Sequence, residues 1–241
     1  MVPMRPRYLL LAAAVSAAFP MTALAGEDDF FAGLDVLGGF AFGSSSTTNG
    51  GAGFGTVDEV RFGGAIGGGA HIGYRLDPDL SVSLGYQHIR SNIRWSADFL
   101  VNPPFSAGTS DFKGTASSDV ILGSVAYDMP LSEATTLRGT AGLGLTFNTL
   151  SGATETDRGT GSFVSDVAGH TKIGPVAQVG AGVRHRIAPN AVLGLDALVS
   201  YAGGFETGNT RFGNLGTTPI NPYEIDRVLR VNLGASIRFA F

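Results

Sequence analysis

Few residues in this chain have the chemistry to act on a substrate. There are four histidines, His71, His88, His170 and His185, and no cysteine. His170 follows Ser165 and Asp166 closely and precedes Thr171, so a nucleophile, an acid and a base are near one another in sequence. A Ser-His-acid group works only when nucleophile and base are in hydrogen-bond reach and a third group orients the base. Nearness in a polar connection is all that supports such a group here, and the chain reads as a non-enzyme. No histidine pair has metal-ligand spacing, and thiolate zinc sites are excluded; neither a metal nor a cofactor is expected. The glycines of Gly63-Gly64 and Gly67-Gly68-Gly69 lack the Lys-Ser/Thr ending of a phosphate loop. They read as strand glycines that mark bends or close backbone approach.

What remains is a set of polar residues alternating with apolar ones. From Leu229 to Phe241 the odd positions are Leu229, Val231, Leu233, Ala235, Ile237, Phe239 and Phe241, and the even ones include Arg230, Asn232, Ser236 and Arg238. Such period-2 alternation is the signature of a strand with one apolar face. It recurs over Phe30 to Phe42, Phe62 to Leu76, Leu80 to Gln87, Leu137 to Asn148, Ile173 to Ile187 and Leu193 to Tyr201. In the second of these, Phe62, Ile66 and Ile72 share the apolar face and Arg61 takes the other. The segment from Ser118 to Asp128 is ambiguous; Ile121, Val125 and Tyr127 are favoured for the apolar face, against Val120 and Leu122. His185 falls on the apolar face near one end of its strand.

The apolar faces have too few charges around them for a soluble sheet. Charged residues make up 15% of the chain, where a soluble domain carries about 25%. Beyond residue 25 no apolar run is long enough for a membrane helix, and only helices and closed sheets satisfy every backbone group in lipid. The connections sort by length. Asp77-Pro78-Asp79, a turn from Met129 to Ala134, and Ala188-Pro189-Asn190 are short and rich in turn formers; those over 43–59, 96–114, 151–169 and 202–224 are long. Alternation of short and long connections is the plan of outer-membrane barrels, whose short turns face the periplasm. Aromatic residues fall near both strand ends, Phe30, Tyr74, Tyr127, Phe239 and Phe241 at one and Phe40, Tyr86, Phe147 and Tyr201 at the other, as the two interfacial girdles require. The expected fold is all-β: a closed, eight-stranded antiparallel transmembrane β-barrel spanning residues 26–241.

Residues 1–25 read as a cleavable signal peptide. Arg5 and Arg7 precede an apolar run, which ends in small residues at Ala23 and Ala25. The protein is therefore expected in the cell outer membrane, exported through the periplasm. Its formal net charge is −4, and with no basic block nucleic acid is not an expected partner.

On this frame Asp35, Arg61, His71, Arg75, Gln87, Arg138, Gln178, Arg184, Asp196, Arg230 and Asn232 point into the lumen. An eight-stranded barrel is just wide enough to be filled by side chains or to hold a small ligand. Two interiors follow, a structural network of paired charges or a narrow polar pore. Arg230 has two candidate partners, Asp196 on one neighbouring strand and Asp35 on the other. The long loops carry Phe99, Phe105, Phe163, Phe205 and Phe212, and they are the surface on which an extracellular ligand would bind.

Gly142-Leu143-Gly144-Leu145, Gly180-Ala181-Gly182-Val183 and the ending Ile237-Arg238-Phe239-Ala240-Phe241 resemble the small outer-membrane β-barrel superfamily, including OmpA-type barrels and opacity-type surface proteins. The resemblance implies that Ile237, Phe239 and Phe241 form the signal read by the barrel-assembly machinery. It also implies a setting of outer-membrane lipid and lipopolysaccharide. Members include structural proteins, adhesins, small pores and lipid A deacylases. A non-enzymatic envelope and surface-loop role leads, a porin-like passive pore is the alternative, and a lipid-modifying hydrolase comes third.

Overall fold

A computed structural model describes residues 29–45, 57–99, 108–214 and 216–241. The expected signal peptide, with Ala23 and Ala25, lies outside the described residues, as do Phe105 and residues 46–56 and 100–107 of the first two long connections. Among the described residues there are twelve strands: β1 (Phe30–Ser44), β2 (Val57–Arg75), β3 (Leu80–Phe99), β4 (Gly108–Pro130), β5 (Thr135–Asp157), β6 (Phe163–Val167), β7 (His170–Ala188), β8 (Ala191–Tyr201), β9 (Phe205–Glu206), β10 (Thr210–Gly213), β11 (Gly216–Pro219) and β12 (Glu224–Ala240).

Eight of them form a ring. β1 pairs with β2, β2 with β3, β3 with β4, β4 with β5, β5 with β7, β7 with β8, β8 with β12, and β12 with β1, every pair antiparallel. The described residues thus hold four strands beyond the eight expected. β6, β10 and β11 form a flap continuing from the upper part of β5, and β9 pairs with β12. At the short-turn end, the Asp77 carboxylate accepts hydrogen bonds from the Asp79 and Leu80 amides at 2.9 and 2.6 Å. That is the local bonding for which Asp is favoured in turns.

The strands run much further than the apolar pattern reaches. β3, β4 and β5 extend into what the sequence reads as loops over 96–114 and 151–169. In the half near the short turns, Leu34, Val36, Ile72, Leu84, Val125, Leu143, Val179, Leu195 and Leu233 are exposed on the outside. Towards the other end the polarity inverts. Ile93, Trp95, Phe112, Leu150 and Val228 are buried inside, while Arg90, Arg94 and Lys113 are exposed outside. The side-chain period is 2 throughout; what changes is the solvent on the outer face, apolar below and aqueous above. A search for apolar-out alternation alone stops where that change occurs.

On β4, Ile121, Val125 and Tyr127 face outward, while Val120 and Leu122 are buried within. β2 departs from the simple alternation. Its pairing with β3 shifts between Asp58 and Arg61 and again between Phe62 and Ala65. Each extra residue reverses the facing of what lies beyond it. Phe62 consequently packs inward, 6.0 Å from the Phe205 ring, and Arg61 is exposed outside. Both reverse the assignment made from period alone.

Candidate functional site: the lumen and the outer ladder

The residues expected in the lumen separate into two levels. Near the short turns, three pairs join neighbouring strands. Asp35 on β1 lies 2.9 Å from His71 Nδ1 on β2, Arg184 on β7 reaches Asp196 on β8 at 2.8 Å, and Arg138 on β5 reaches Asp128 on β4 at 2.8 Å. Arg138 also donates to Ser81 Oγ at 3.0 Å. Asp35, His71, Arg138, Arg184 and Asp196, with Gln87 and Gln178, line a cavity of about 100 Å³. Arg238, whose guanidinium lies 4.8 Å from the Phe31 ring centroid, lines it too. Arg75 lies half-buried at the end of β2. Asp128 and Arg238 are lumen residues that the sequence reading left out of the site, although both sit on the polar face of their strands.

Arg230 pairs with neither candidate acid. In the ladder it stands opposite Ser200, whereas Asp196 stands opposite Gly234. On the other side it stands opposite Ala41, and Asp35 stands opposite Ser236. Four and six residues of offset are about 13 and 20 Å along a strand. Arg230 instead crosses the ring from β12 to Ser118 on β4, where it donates to Ser118 Oγ. Ser118 bonds Asn148, whose amide donates to the Ala202 and Gly204 carbonyls at 2.6 and 2.9 Å. Asn232, next on the inner face, is fully buried.

Above this crossbar the interior is apolar. Trp95 and Phe112 stack with centroids 5.1 Å apart, and Tyr223 lies 6.1 and 4.9 Å from them. Ile93, Leu150, Phe205, Ile225 and Val228 complete the cluster, each at most 1% exposed. Side chains from β3 and β4 therefore meet side chains from β12 and from the connection 202–223. That connection folds inward instead of standing free: Thr207 and Tyr223 bond through their backbones, and Gly208 bonds Ala168. Phe205 is thus a core residue, while Phe163 and Phe212 are exposed. Phe99 is the last residue of β3.

The histidine group considered from sequence does not assemble. Ser165 is buried and donates to Glu155 at 2.6 Å, Asp166 accepts from Thr154 at 2.8 Å, and His170 stands exposed opposite Leu150. A different histidine is oriented by an acid. On the outer face Asp119 accepts from Tyr86 Oη at 2.6 Å and lies 2.8 Å from His88 Nδ1. The shared facing of Asp119 and Ile121 is the sequence signal that could have found it. Higher on the same face Arg158 contacts Asp111 at 2.7 Å and Glu59 at 3.2 Å. The hydrogen bond from Arg158 holds the Asp111 carboxyl below its ordinary value. His185 is exposed on β7, 3.1 Å from Thr135 Oγ1. Phe239 and Phe241 are exposed at the end of β12 beside Ile237, and the Phe241 amide bonds the Phe30 carbonyl at 2.9 Å.

A closed ring of strands, apolar outside and polar within at one end, is the architecture described by the family model for the outer membrane protein beta-barrel domain, which matches residues 11–239. The chain belongs to that family. Its place is the outer membrane. Among solved structures, Neisserial surface protein A is similar at 20% identity, covering 90% of this chain and 100% of that one, with TM-score 0.46. Ail of Yersinia pestis, solved in complex with the heparin analogue sucrose octasulfate, is 12% identical over 90% of this chain and 100% of that one, with TM-score 0.44. OprG of Pseudomonas aeruginosa is 12% identical over 88% and 97%, with TM-score 0.45. No activity or partner follows from these likenesses. No curated protein matched the chain.

Proposed function

We propose that this family member is a non-enzymatic, non-conducting barrel that strengthens the envelope and presents its upper strands and loops outside the cell. The observation that supports this most is the filled interior: the Trp95–Phe112–Tyr223 cluster above, and the Arg230–Ser118 crossbar beneath it. In this reading residues 1–25 are removed on export. The short turns face the periplasm, and the strand ending in Ile237, Phe239 and Phe241 is read by the barrel-assembly machinery. Lipid and lipopolysaccharide surround the apolar band, and an adhesive or other extracellular partner would meet the loops.

The porin-like alternative has one observation in its favour, the polar cavity of about 100 Å³ near the short turns. A water occupies about 30 Å³ of liquid, so that space suits a few waters and falls short of a continuous path. Single-channel recording of the folded protein in a planar bilayer separates the two. A silent bilayer is expected. Steady discrete openings, altered by Arg230→Ala, would overturn the plugged reading and make the pore primary.

A further inference from the structure

We propose that a row of cations on the outer face of β2, β3 and β4 binds the phosphate groups of outer-leaflet lipopolysaccharide. Arg61, Arg94 and Lys113 stand directly opposite one another in the ladder and are all exposed. Adjacent strands lie about 4.8 Å apart, so three like charges sit within about 10 Å. Directly opposed like charges destabilise a sheet. An anion bound across the row would relieve that repulsion.

The protein's own acids do not supply that anion. Of the acids one row further up, Glu59 and Asp111 are engaged by Arg158, with Asp111 held at 2.9 and 2.7 Å, and Asp58, opposite Ser96, is exposed and forms no ion pair with the row among the described residues. Lys113 feels Asp111 only as a nearby charge. Beyond Lys113 the row continues as Thr154 and Asp166, which bond each other. Among the described residues none of the three cations forms an ion pair.

Position names the anion. Arg90 lies on the same face of β3, four residues below Arg94 and four above Tyr86, opposite Ser117 on one side and Ile66 on the other. Tyr86 and Ile66 mark the top of the apolar band, where aromatic side chains meet headgroups. Four strand residues are about 13 Å. Arg90 therefore stands at headgroup level, and the row stands one step above it. A phosphorylated glycolipid, with phosphate on its glucosamines and on the sugars above them, presents anions at both levels while its acyl chains cover the apolar band. A guanidinium is suited to such oxyanions through paired N–H donors. The inference rests on the long connections facing outward.

The protein extracted from outer membranes into neutral detergent is titrated with purified lipopolysaccharide at low salt. Replacing the row by Arg61→Ser, Arg94→Ser and Lys113→Ser should weaken binding about 100-fold, because each cation near an anionic surface contributes roughly a factor of five. Arg61→Lys with Arg94→Lys should retain most of it. Enzymatic removal of the lipid's phosphates should weaken binding to the unaltered protein to the same degree, an arm that needs no variant to fold. Equal affinity after either change overturns the proposal. Binding of inorganic polyphosphate as tight as that of the lipid would assign the row to a soluble polyanion and overturn it too. The chain has no cysteine, so Lys113→Cys adds a unique thiol. Failure of an impermeant maleimide to label it on whole cells would overturn the outward orientation, distinct from a labelled thiol on a protein that ignores lipopolysaccharide.

Discussion

Trp95 on β3 and Phe112 on β4 stack with ring planes only 5° apart, and both are at most 2% exposed. The pair lies inside a ring whose outer face at that level carries Arg94 and Lys113. Trp95 is the chain's single tryptophan, so its fluorescence reports this one place. In the folded protein its emission should be blue-shifted and shielded from acrylamide. Trp95→Ala should destabilise by about 3–5 kcal/mol, the usual cost of removing a large buried ring. The check is the temperature at which the folded, fast-migrating gel form is lost; an unchanged transition would mean the cluster adds nothing to stability.

Arg184 and Asp196 pair at 2.8 Å with side chains about 12% and 10% exposed. Asp196→Asn leaves a largely covered guanidinium without its counter-charge and should cost about 2–3 kcal/mol, whereas replacing both partners by apolar residues of similar volume should cost much less. Denaturant midpoints of the single and double variants test this. A single variant as stable as the parent would show that other groups in the cavity compensate Arg184.

Gly144 lies on the inner face of β5 against β4, and a methyl group there would run into the backbone carbonyl of Ile121. Gly144→Ala should therefore separate the two strands locally, costing about 1–3 kcal/mol as overpacking does. The measurement is the fraction of protein that refolds into detergent, which should fall clearly below that of the parent.

The Arg158 hydrogen bond lowers the Asp111 pKa. A carboxyl with a depressed folded-state value stabilises fully above its unfolded value, about 3.9, and the contribution disappears as pH falls through the folded value. Upper-strand contacts between β4 and Arg158 should thus be intact at neutral pH and be lost only in acid. NMR titration of the Asp111 carboxyl should give a midpoint below the ordinary one, and the midpoint should rise in Arg158→Gln. Identical midpoints in the two proteins would remove Arg158 as the cause.

The amino-acid sequence by itself determined the ring. Apolar-out alternation in Leu229 to Phe241 and its counterparts, together with turns such as Asp77-Pro78-Asp79, is a local property imposed by lipid on one face and by a pleat of period 2. It placed Ile121, Val125 and Tyr127 outside and located the three short turns. It also listed Asp35, His71, Arg184 and Asp196 as inward residues, but not who meets whom. Arg230 bonds Ser118 across the ring, 112 positions away, because strand register and closure bring β12 and β4 face to face. The extra residues in β2 turned Arg61 outward and Phe62 inward, a reversal no periodic pattern contains. Trp95, Phe112, Phe205 and Tyr223 lay in or beside what read as loops, since above the membrane the outer face meets water and the apolar signal moves to the inside. Those relations arise from pairing and packing between distant segments, and only the tertiary structure decided them.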